Sequence, residues 1–222
     1  MWAQEFAAAR FGKFRRRVYS VGMDPTVSEL PLFPLGTVLF QGGALQLQIF
    51  EPRYLSLISR CMREESPFGV VLIRRGSDTW RPGAPGPELF DIGTEARIVD
   101  FNQLGNGRLG ITVRGGRKFR IREIREQADH LLTGMVSYLP EEPATAVGQE
   151  HQDLVDLLNE LLAHEGVKKL NLEIDLSDAR SVGWRLSELL PIEAEIKQSL
   201  LKLQLPRERL AELTRLVNKL RG

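Results

Sequence analysis

The sequence contains one cysteine, Cys61, among its 222 residues. A single thiol can form neither an internal disulfide nor a cluster of thiolate metal ligands. Its three histidines, His130, His151 and His164, are widely spaced and belong to no H-E-x-x-H pattern. No apolar run approaches the roughly 18 residues that a membrane-spanning helix needs. These absences argue against a disulfide-stapled protein, a zinc enzyme and a membrane protein. They predict a cytoplasmic protein that uses no metal or other cofactor.

Sequence signatures of enzymes are missing as well. Gly12-Lys13 lacks the upstream glycine of a phosphate-binding loop, and no G-x-S-x-G nucleophile turn is present. Residues 105–110, GNGRLG, match the G-x-G-x-x-G pattern of dinucleotide-binding folds, but that pattern requires a helix directly after it. Alternating apolar and polar residues follow instead, which favours a β-hairpin with Asn106-Gly107 as its turn. The sequence therefore predicts a protein that is not an enzyme.

The net charge is +1, from 30 lysines and arginines against 29 acidic residues. So small a total indicates neither a nucleic-acid-binding field nor an acidic, repulsive surface. The first 22 residues differ from the rest, because they contain five basic residues and one acidic residue, Glu5. We expect residues 1–27 to be a basic extension that is disordered, or to precede a true start at Met23. The alternative is an amphipathic segment that lies on a membrane surface.

The middle of the chain has the residue pattern of β-strands. Residues 68–73 are continuously apolar, as expected of a buried strand, whereas residues 96–101 and 109–113 alternate between apolar and polar. Further strands are predicted over residues 118–124 and 131–138. Five to seven strands in all are enough to close a small barrel.

Two segments interrupt the strand pattern. Residues 76–90 are rich in glycine and proline and predict a long loop, of a kind that is often functional. A helix is predicted from Pro52 to Arg63. One face of this helix is apolar and consists of Tyr54, Leu55, Ile58, Cys61 and Met62. Cys61 is therefore predicted to be a buried packing thiol and not a nucleophile.

After a predicted linker at residues 140–148, the pattern becomes helical. One helix is marked by Leu154, Leu157, Leu158, Leu161 and Leu162. Gly166 is expected to end it. A second helix, around Leu186, ends or restarts at Pro191, and both Pro191 and Pro206 suit the first turn of a helix. These segments predict a small helical bundle that packs on the barrel or on a partner.

One stretch is specific enough to indicate a family. Residues 30–40, LPLFPLGTVLF, followed by residues 49–54, IFEPRY, resemble the opening of the Lon substrate-binding domain, the amino-terminal domain of the ATP-dependent protease Lon. The resemblance continues more weakly through residues 68–71, 92–98 and 115–121. Its fold-defining positions are Pro34, Gly36, Phe50, Glu51, Pro52, Arg53 and Tyr54. Glu51 is expected to favour the positive end of the helix, and Arg53 to tie the helix to the barrel.

The resemblance implies an α+β fold, a Lon N-terminal or PUA-like β pseudo-barrel with one inserted helix, followed by a C-terminal helical bundle. We expect the barrel at residues 28–140 and the helical subdomain at residues 149–222. Full Lon carries an ATPase motor and a serine–lysine dyad, for which this sequence has no counterpart. A standalone member without ATPase and protease domains is therefore expected.

The function that the resemblance implies is non-catalytic binding of a protein or unfolded peptide, as an adaptor that presents clients to a separate protease. Trp80 and Arg81, in the long loop, are predicted partner contacts, although Trp80 folding back onto the barrel is an equal alternative. The second hypothesis is RNA binding by the PUA-like barrel through Arg120 and Arg122. These arginines alternate with Lys118, and the simpler interpretation is a solvated sheet face. A hydrolase is the third hypothesis.

Overall fold

A computed structural model describes residues 27–79, 83, 85–105, 108–168, 172 and 174–221. Seven strands precede the main group of helices. They are β1 (Ser28–Leu35), β2 (Ala44–Ile49), β3 (Phe68–Arg75), β4 (Glu88–Leu89), β5 (Ile92–Gln103), β6 (Leu109–Glu126) and β7 (Leu132–Tyr138). One helix, α1 (Pro52–Glu64), lies between β2 and β3. A strand-rich region with one inserted helix confirms the predicted α+β class.

Five of the strands close on themselves and form a small barrel. The order around the barrel is β1, β7, β6, β5 and β3, and β3 returns to β1 through a parallel pairing that places Phe33 beside Val70. The other barrel pairs are antiparallel. Closure satisfies the hydrogen-bonding edges of these strands. β2 and β4 lie outside the ring, since β2 pairs with β6 and β4 pairs with β3.

β6 is long because it belongs to two layers. Its first part, residues 109–114, lies between β2 and β5, and its second part, residues 119–126, pairs with β7 and shares only Phe119 and Arg120 with β5. The register shifts between Thr94 and Ala96 on β5, and between Ile121 and Glu123 on β6. Such bulges bend a strand and increase its twist, which lets one strand leave a flat sheet and enter a barrel wall. The prediction of two separate strands at residues 109–113 and 118–124 was wrong, because β6 continues through its bulges as one strand.

α1 begins at Pro52 and buries one face against the strands. The buried side chains are Tyr54, Leu57, Ile58 and Cys61, spaced three and four residues apart as on one side of a helix. Cys61 is buried in the cluster between α1 and the strands and is not part of a disulfide, which confirms the packing thiol. Leu55 was predicted on the same face but is 37% exposed. Leu55 follows Tyr54 directly, and successive residues of a helix are rotated by about 100° around its axis. Leu55 therefore lies outside the buried face of α1.

Five helices follow β7 in the described part of the chain. They are α2 (Gln152–Leu162), α3 (Glu165–Lys168), α4 (Ala179–Leu189), α5 (Ala194–Lys202) and α6 (Pro206–Arg221), and a short 3₁₀ turn, Gln149–His151, precedes α2. None of the helices in the described ranges combines the length and the hydropathy that crossing a bilayer would require.

The helices pack on the barrel region and do not form a core of their own. Phe40 and Ile92, from the strand region, share one buried cluster with Leu158, Leu186 and Leu210 of the helices. A second cluster lies between α1 and the strands, and a third around Phe119 of β6. The helices therefore cover a face of the strand region that would otherwise expose apolar side chains to water.

One predicted helix end was wrong, and one of the two alternatives for Pro191 is confirmed. α2 ends at Leu162, and Gly166 lies inside the short helix α3, because the apolar period of α2 has already run out. Pro191 is not in a first helical turn, since α5 begins only at Ala194. It ends α4, as the first alternative predicted: Leu190 is extended (φ −65°, ψ 139°), the conformation that a following proline favours. Pro206 does begin α6, as predicted.

Candidate protein-binding surface

β2 is a strand with two different faces. Leu45 and Leu47 are half-buried and Ile49 is buried, all three packed in the cluster that includes α1. Gln46 and Gln48 are exposed. Residues two apart on a strand share a face, so the apolar residues face the core and the glutamines face water. Residues 44–49 were not among the predicted strands, although this alternation is the sequence signal of one.

One side of β2 is an open edge. The strand pairs with β6 and with no other strand in the described ranges. Just before β2, Gly42 and Gly43 stand opposite Gly115 in a β-bulge. The Gly42 N–H donates to the Gly115 carbonyl over 2.8 Å, and the Gly115 N–H donates to the Gly43 carbonyl over 2.9 Å. This bulge determines which residues of β2 hydrogen-bond to β6 and which direct their backbone groups away from it.

The pairing pattern with β6 determines which backbone groups of β2 point outward. Hydrogen-bonded and non-hydrogen-bonded pairs alternate along an antiparallel ladder. The N–H and C=O groups of Ala44, Gln46 and Gln48 therefore point away from β6. The Ala44 N–H shows this direction directly, because it donates to the Glu188 carboxylate over 3.0 Å. At Gln46 and Gln48, no strand of the described chain pairs with the outward groups.

α4 holds the beginning of β2 in place. The buried guanidinium of Arg185 donates to the Gln41 carbonyl and to the Glu188 carboxylate. Burial raises the pKa of the Glu188 carboxyl, although the charge of Arg185 opposes the rise. The carboxylate accepts hydrogen bonds from both Arg185 and the Ala44 N–H. The open part of the edge begins after Ala44.

Two exposed aromatic side chains accompany β2, one directly after the strand and one across β6. Phe50, which directly follows the strand, is 56% exposed, and Phe101 of β5 is 40% exposed. Phe101 pairs with Ile111, and Ile111 pairs with Leu47, so Phe101 lies on the same sheet face as Leu47, two strands away. The guanidinium carbon of Arg108 lies 5.6 Å from the centre of the Phe50 ring. We call the open edge at residues 45–49, with Phe50 and Phe101, the β2 surface.

Arg53 fixes the chain where it leaves the β2 surface. Its guanidinium donates to the Glu51 carboxylate (2.9 Å), to the His130 carbonyl (2.8 Å) and to the Asp78 carbonyl (2.7 Å). It also lies 4.5 Å from the centre of the Tyr54 ring. These bonds reach two loops of the strand region, which confirms that Arg53 ties the helix to the barrel. The Glu51 side chain pairs with Arg53 and makes no capping hydrogen bond to the helix.

The other positions of the predicted fold-defining motif differ in their surroundings. Pro34 is buried in β1, whereas Gly36 is exposed. A methyl group at Gly36 would meet nothing within 4 Å, so sterics do not require glycine there. Tyr54 stacks on Phe33 with a centroid distance of 4.1 Å, and burial raises its pKa to about 12. Phe50 faces water, which makes it a surface residue and not a core residue.

A buried cluster of charges joins the barrel to the helices. Glu142, from the predicted linker, accepts from Arg209 over 2.6 and 2.7 Å and from Lys118 over 2.6 Å. Lys118 also donates to the Leu201 and Leu203 carbonyls. Burial lowers the pKa of Lys118, although Glu142 opposes the change. The prediction that Lys118 lies on a solvated sheet face was wrong, because α5 and α6 cover that part of β6.

The predicted contact residues lie in different places. Trp80 and Arg81 fall outside the described residues. Arg120 and Arg122 are both exposed on β6, and the Arg122 Nε donates to the Ser137 hydroxyl over 3.0 Å. The same end of β6 carries Glu123, paired with Arg125 over 2.8 Å. The two arginines are thus brought together at the surface, beside charges of the opposite sign.

Two clefts accompany the helices. One, of about 390 Å³, lies between α5 and α6 and includes Ile196 and Leu203. The other, of about 350 Å³, lies between the Gly42 bulge and α4 and includes Trp184 and Arg117. Both are near the lower limit of ligand-binding cavities. The Arg117 guanidinium in the second cleft stacks on the Tyr138 ring at 3.8 Å, so it is held by the protein itself.

Comparison with known proteins gives one consistent result. The family model of the ATP-dependent protease La (LON) substrate-binding domain matches residues 29–219. The crystal structure of a Lon N-terminal domain protein from Xanthomonas campestris has a TM-score of 0.68 and 36% sequence identity to this chain. That similarity covers 85% of this chain and 98% of the other.

Curated relatives are longer proteins. Lon protease 2 of Myxococcus xanthus is 35% identical over 103 residues, which are 46% of this chain and 12% of the relative. The Lon protease of Brevibacillus choshinensis is 26% identical over 201 residues, which are 86% of this chain and 25% of the relative. The chain therefore spans about a quarter or less of these relatives.

Proposed function

Because this chain belongs to the family of the ATP-dependent protease La (LON) substrate-binding domain, we propose that it binds extended, non-native segments of other proteins. The observation that carries the proposal is the β2 surface. Phe50, which follows the open-edged strand β2, is 56% exposed, and Phe101, across β6 from β2, is 40% exposed. An unpaired strand edge with exposed apolar side chains nearby is a typical binding site for an extended peptide. Unfolded chains offer both apolar side chains and free backbone groups. These can pair with the exposed side chains and the outward backbone groups of the β2 surface.

The proposal includes a second step after binding. The chain acts as an adaptor, and a separate protease cuts the segments that it presents. The matched family is a substrate-binding domain and not the catalytic part of the protease, which supports this division of labour. Trp80 and Arg81 stay the proposed contacts to that partner. A pull-down should recover the same proteins after nuclease treatment and lose them with Trp80→Ala; recovery unchanged by Trp80→Ala would remove this contact from the proposal.

Binding of a permanently unfolded protein tests the main proposal. The probe is a dye-labelled protein whose disulfides have been reduced and carboxymethylated, and its fluorescence anisotropy is titrated with the intact chain. We expect wild type to bind the unfolded probe and not the native, oxidised form. The double variant Phe50→Ser/Phe101→Ser should bind at least about tenfold more weakly, which corresponds to about 1.4 kcal/mol.

The matched control is Leu220→Ser. Leu220 is 58% exposed on α6, so the substitution removes an equally exposed apolar side chain from the other part of the molecule. Affinity for the unfolded probe should not change. If wild type does not bind the probe, or if Leu220→Ser weakens binding as much as the phenylalanine substitutions do, the proposal is wrong.

RNA binding is the second candidate, and the exposed pair Arg120 and Arg122 is the observation in its favour. Contacts to phosphates release counterions, so affinity for RNA would fall steeply with salt and would depend on both arginines. Binding of a labelled single-stranded RNA is measured across a salt series with wild type and with Arg120→Gln/Arg122→Gln. Weak binding that is equal in both proteins would end this candidate.

A further inference from the structure

We infer that the β2 surface binds a client segment as an added β-strand alongside β2, and that it selects segments in which apolar and polar residues alternate. The inference rests on the proposed function, because it names the class of segment bound and the way it is held. Its client is a strand of a half-buried sheet, which a native protein hides and an unfolded protein exposes.

The outward backbone groups of β2 have the spacing that pairing with an added strand requires. The outward N–H and C=O groups of Gln46 and Gln48 lie two residues apart, which is the spacing at which an added strand forms its hydrogen bonds. Ala44 already uses its outward N–H, and its acceptor is the Glu188 carboxylate. The edge is thus closed at one end by a side chain, and over residues 45–49 no strand of the described chain pairs with it. A bound strand can begin only beyond Ala44.

The side chains of β2 supply the selectivity. Residues of an added strand that lie opposite Leu45 and Leu47 point to the same sheet face as those leucines. That face packs toward α1, and the two leucines are only half-buried there. Residues opposite Gln46 and Gln48 point to the solvent face. An apolar residue at every second position therefore gains burial, while the residues between stay in water.

β2 also lacks the features that usually keep an edge strand from pairing. Proteins block such edges with proline, charged side chains or very short strands. The residues of β2, ALQLQI, include neither proline nor a charge. The other strand outside the ring, β4, has two residues and begins with Glu88. Of these two strands, β2 alone has an edge whose composition suits pairing.

An unfolded client suits this edge better than a second copy of the chain. A strand of six residues is about 20 Å long, and two such strands side by side cover far less than the roughly 1,200 Å² that a stable pair of folded proteins buries. Weak binding of one extended segment needs no larger interface, because the segment is flexible and its side chains reach Phe50 beyond the strand end. The occupant of this edge is therefore an extended segment of another protein.

Proline at position 48 tests the role of the backbone. The Gln48 N–H points away from β6, so Gln48→Pro removes an outward donor and leaves the ladder with β6 intact, as prolines on edge strands do. The probe is a soluble, dye-labelled peptide of alternating valine and threonine flanked by lysines, titrated by fluorescence anisotropy. We expect wild type to bind it and Gln48→Pro to bind at least about tenfold more weakly. Ala144→Pro, at an exposed residue outside the strands, is the matched control and should bind as wild type does.

A modified peptide keeps the test independent of the variant's fold. Methylation of alternate backbone nitrogens, in the register that faces β2, removes donors from the peptide and should abolish binding to wild type, whereas methylation in the opposite register should not. Circular dichroism and urea unfolding establish that Gln48→Pro is folded.

Three outcomes would overturn the inference. In the first, Gln48→Pro or the methylated peptides bind as their unmodified counterparts do. In the second, a peptide of the same composition in scrambled order binds equally well. In the third, sedimentation shows that wild type dimerises through this edge and the peptide does not bind. If wild type still binds the carboxymethylated probe in these cases, the proposed function stands and only strand addition is wrong.

Discussion

Among single residues, Glu142 and the two cations around it form a buried charge cluster that was not predicted from the sequence. Glu142, Lys118 and Arg209 have side chains that are at most 2% exposed. Two cations share one carboxylate, and the carbonyl groups at the end of α5 accept the remaining hydrogen bonds. The negative end of a helix dipole offsets part of the excess positive charge. Every member of the cluster therefore depends on Glu142.

Glu142→Gln should lower the free energy of unfolding by about 3 kcal/mol or more, because it leaves two buried cations without a counter-charge. Urea unfolding of both proteins at neutral pH measures the difference. Glu141→Gln is the matched control, since Glu141 is the exposed neighbour and its loss should change stability by less than about 0.5 kcal/mol. Equal effects of the two substitutions would contradict the role of the cluster.

The stabilities of wild type and Glu142→Gln should also depend differently on pH in the acidic range. Burial would raise the pKa of Glu142, but hydrogen bonds and charge from Arg209, together with Lys118, outweigh it and hold the pKa below its ordinary value. A carboxyl with a depressed pKa stabilises the fold fully above its unfolded pKa of about 4.3, and this stabilisation is lost as pH falls through the folded value. The difference between wild type and Glu142→Gln should therefore shrink below about pH 4.

Residue roles were predictable where local geometry fixes them. Arg53 follows Pro52 at a helix start, and its side chain can only reach back to the loops of the strand region. Cys61 lies on the apolar face of α1. Lys118 was different, because alternation along a strand cannot tell whether a helix from a distant part of the chain covers that strand. Glu142 lies in a proline-containing segment that gave no sign of burial.

At the scale of elements, the barrel depends on a close contact between glycines and one aromatic ring. Phe119 of β6 pairs with Gly93 of β5 and is fully buried. A methyl group at Gly93 would lie 2.6 Å from the Val70 carbonyl oxygen and 2.7 Å from the Phe119 ring, and one at Gly69 would lie 2.6 Å from the same ring. Glycine at these positions lets the ring lie flat across two strands.

Gly93→Ala should destabilise the protein by about 1–3 kcal/mol, because the backbone oxygen of Val70 cannot move as a side chain could. Thermal or urea unfolding measures the change. Gly36→Ala is the matched control: it also adds one methyl group, but into open space at a residue without positive φ, and we expect no loss of stability. A stable Gly93→Ala protein would show that the barrel adjusts more easily than the contact distances indicate.

Element types were largely predictable, and their ends and partners were not. The apolar run at β3 and the alternation at β5 identified strands, since burial on two faces or on one leaves a distinct period. The hairpin between β5 and β6 is confirmed by the pairing of Gln103 with Leu109, while Asn106 and Gly107 themselves fall outside the described residues. The continuity of β6 could not be predicted, because a bulge keeps a strand going through a break in the alternation.

At the scale of the whole molecule, the helices and the barrel region share a core. Phe40 and Ile92 are at most 2% exposed only because Leu186 and its neighbours on the helices cover them. Neither part buries its apolar side chains alone. We therefore expect the described parts of the chain to unfold together, with the helices and strands losing structure in one cooperative transition.

Trp184 fluorescence tests this expectation. The sequence contains three tryptophans, and Trp2→Phe/Trp80→Phe leaves Trp184, which packs against the shared core from α4, as the only one. Its change in fluorescence during urea unfolding should coincide with the change in circular dichroism of the whole backbone. A Trp184 transition at lower urea would contradict a shared core and show that the helices separate first.

The family and the kind of fold are encoded locally. Short segments such as residues 49–54 carry that information, because a strand end, a proline at the helix start and an arginine that reaches back act over a few residues. Which charged residues are buried and which strand edge stays open follows from long-range packing alone. Both depend on what packs alongside: the end of α5 accepts hydrogen bonds from Lys118, whereas within the described ranges β2 pairs with β6 and with no other strand.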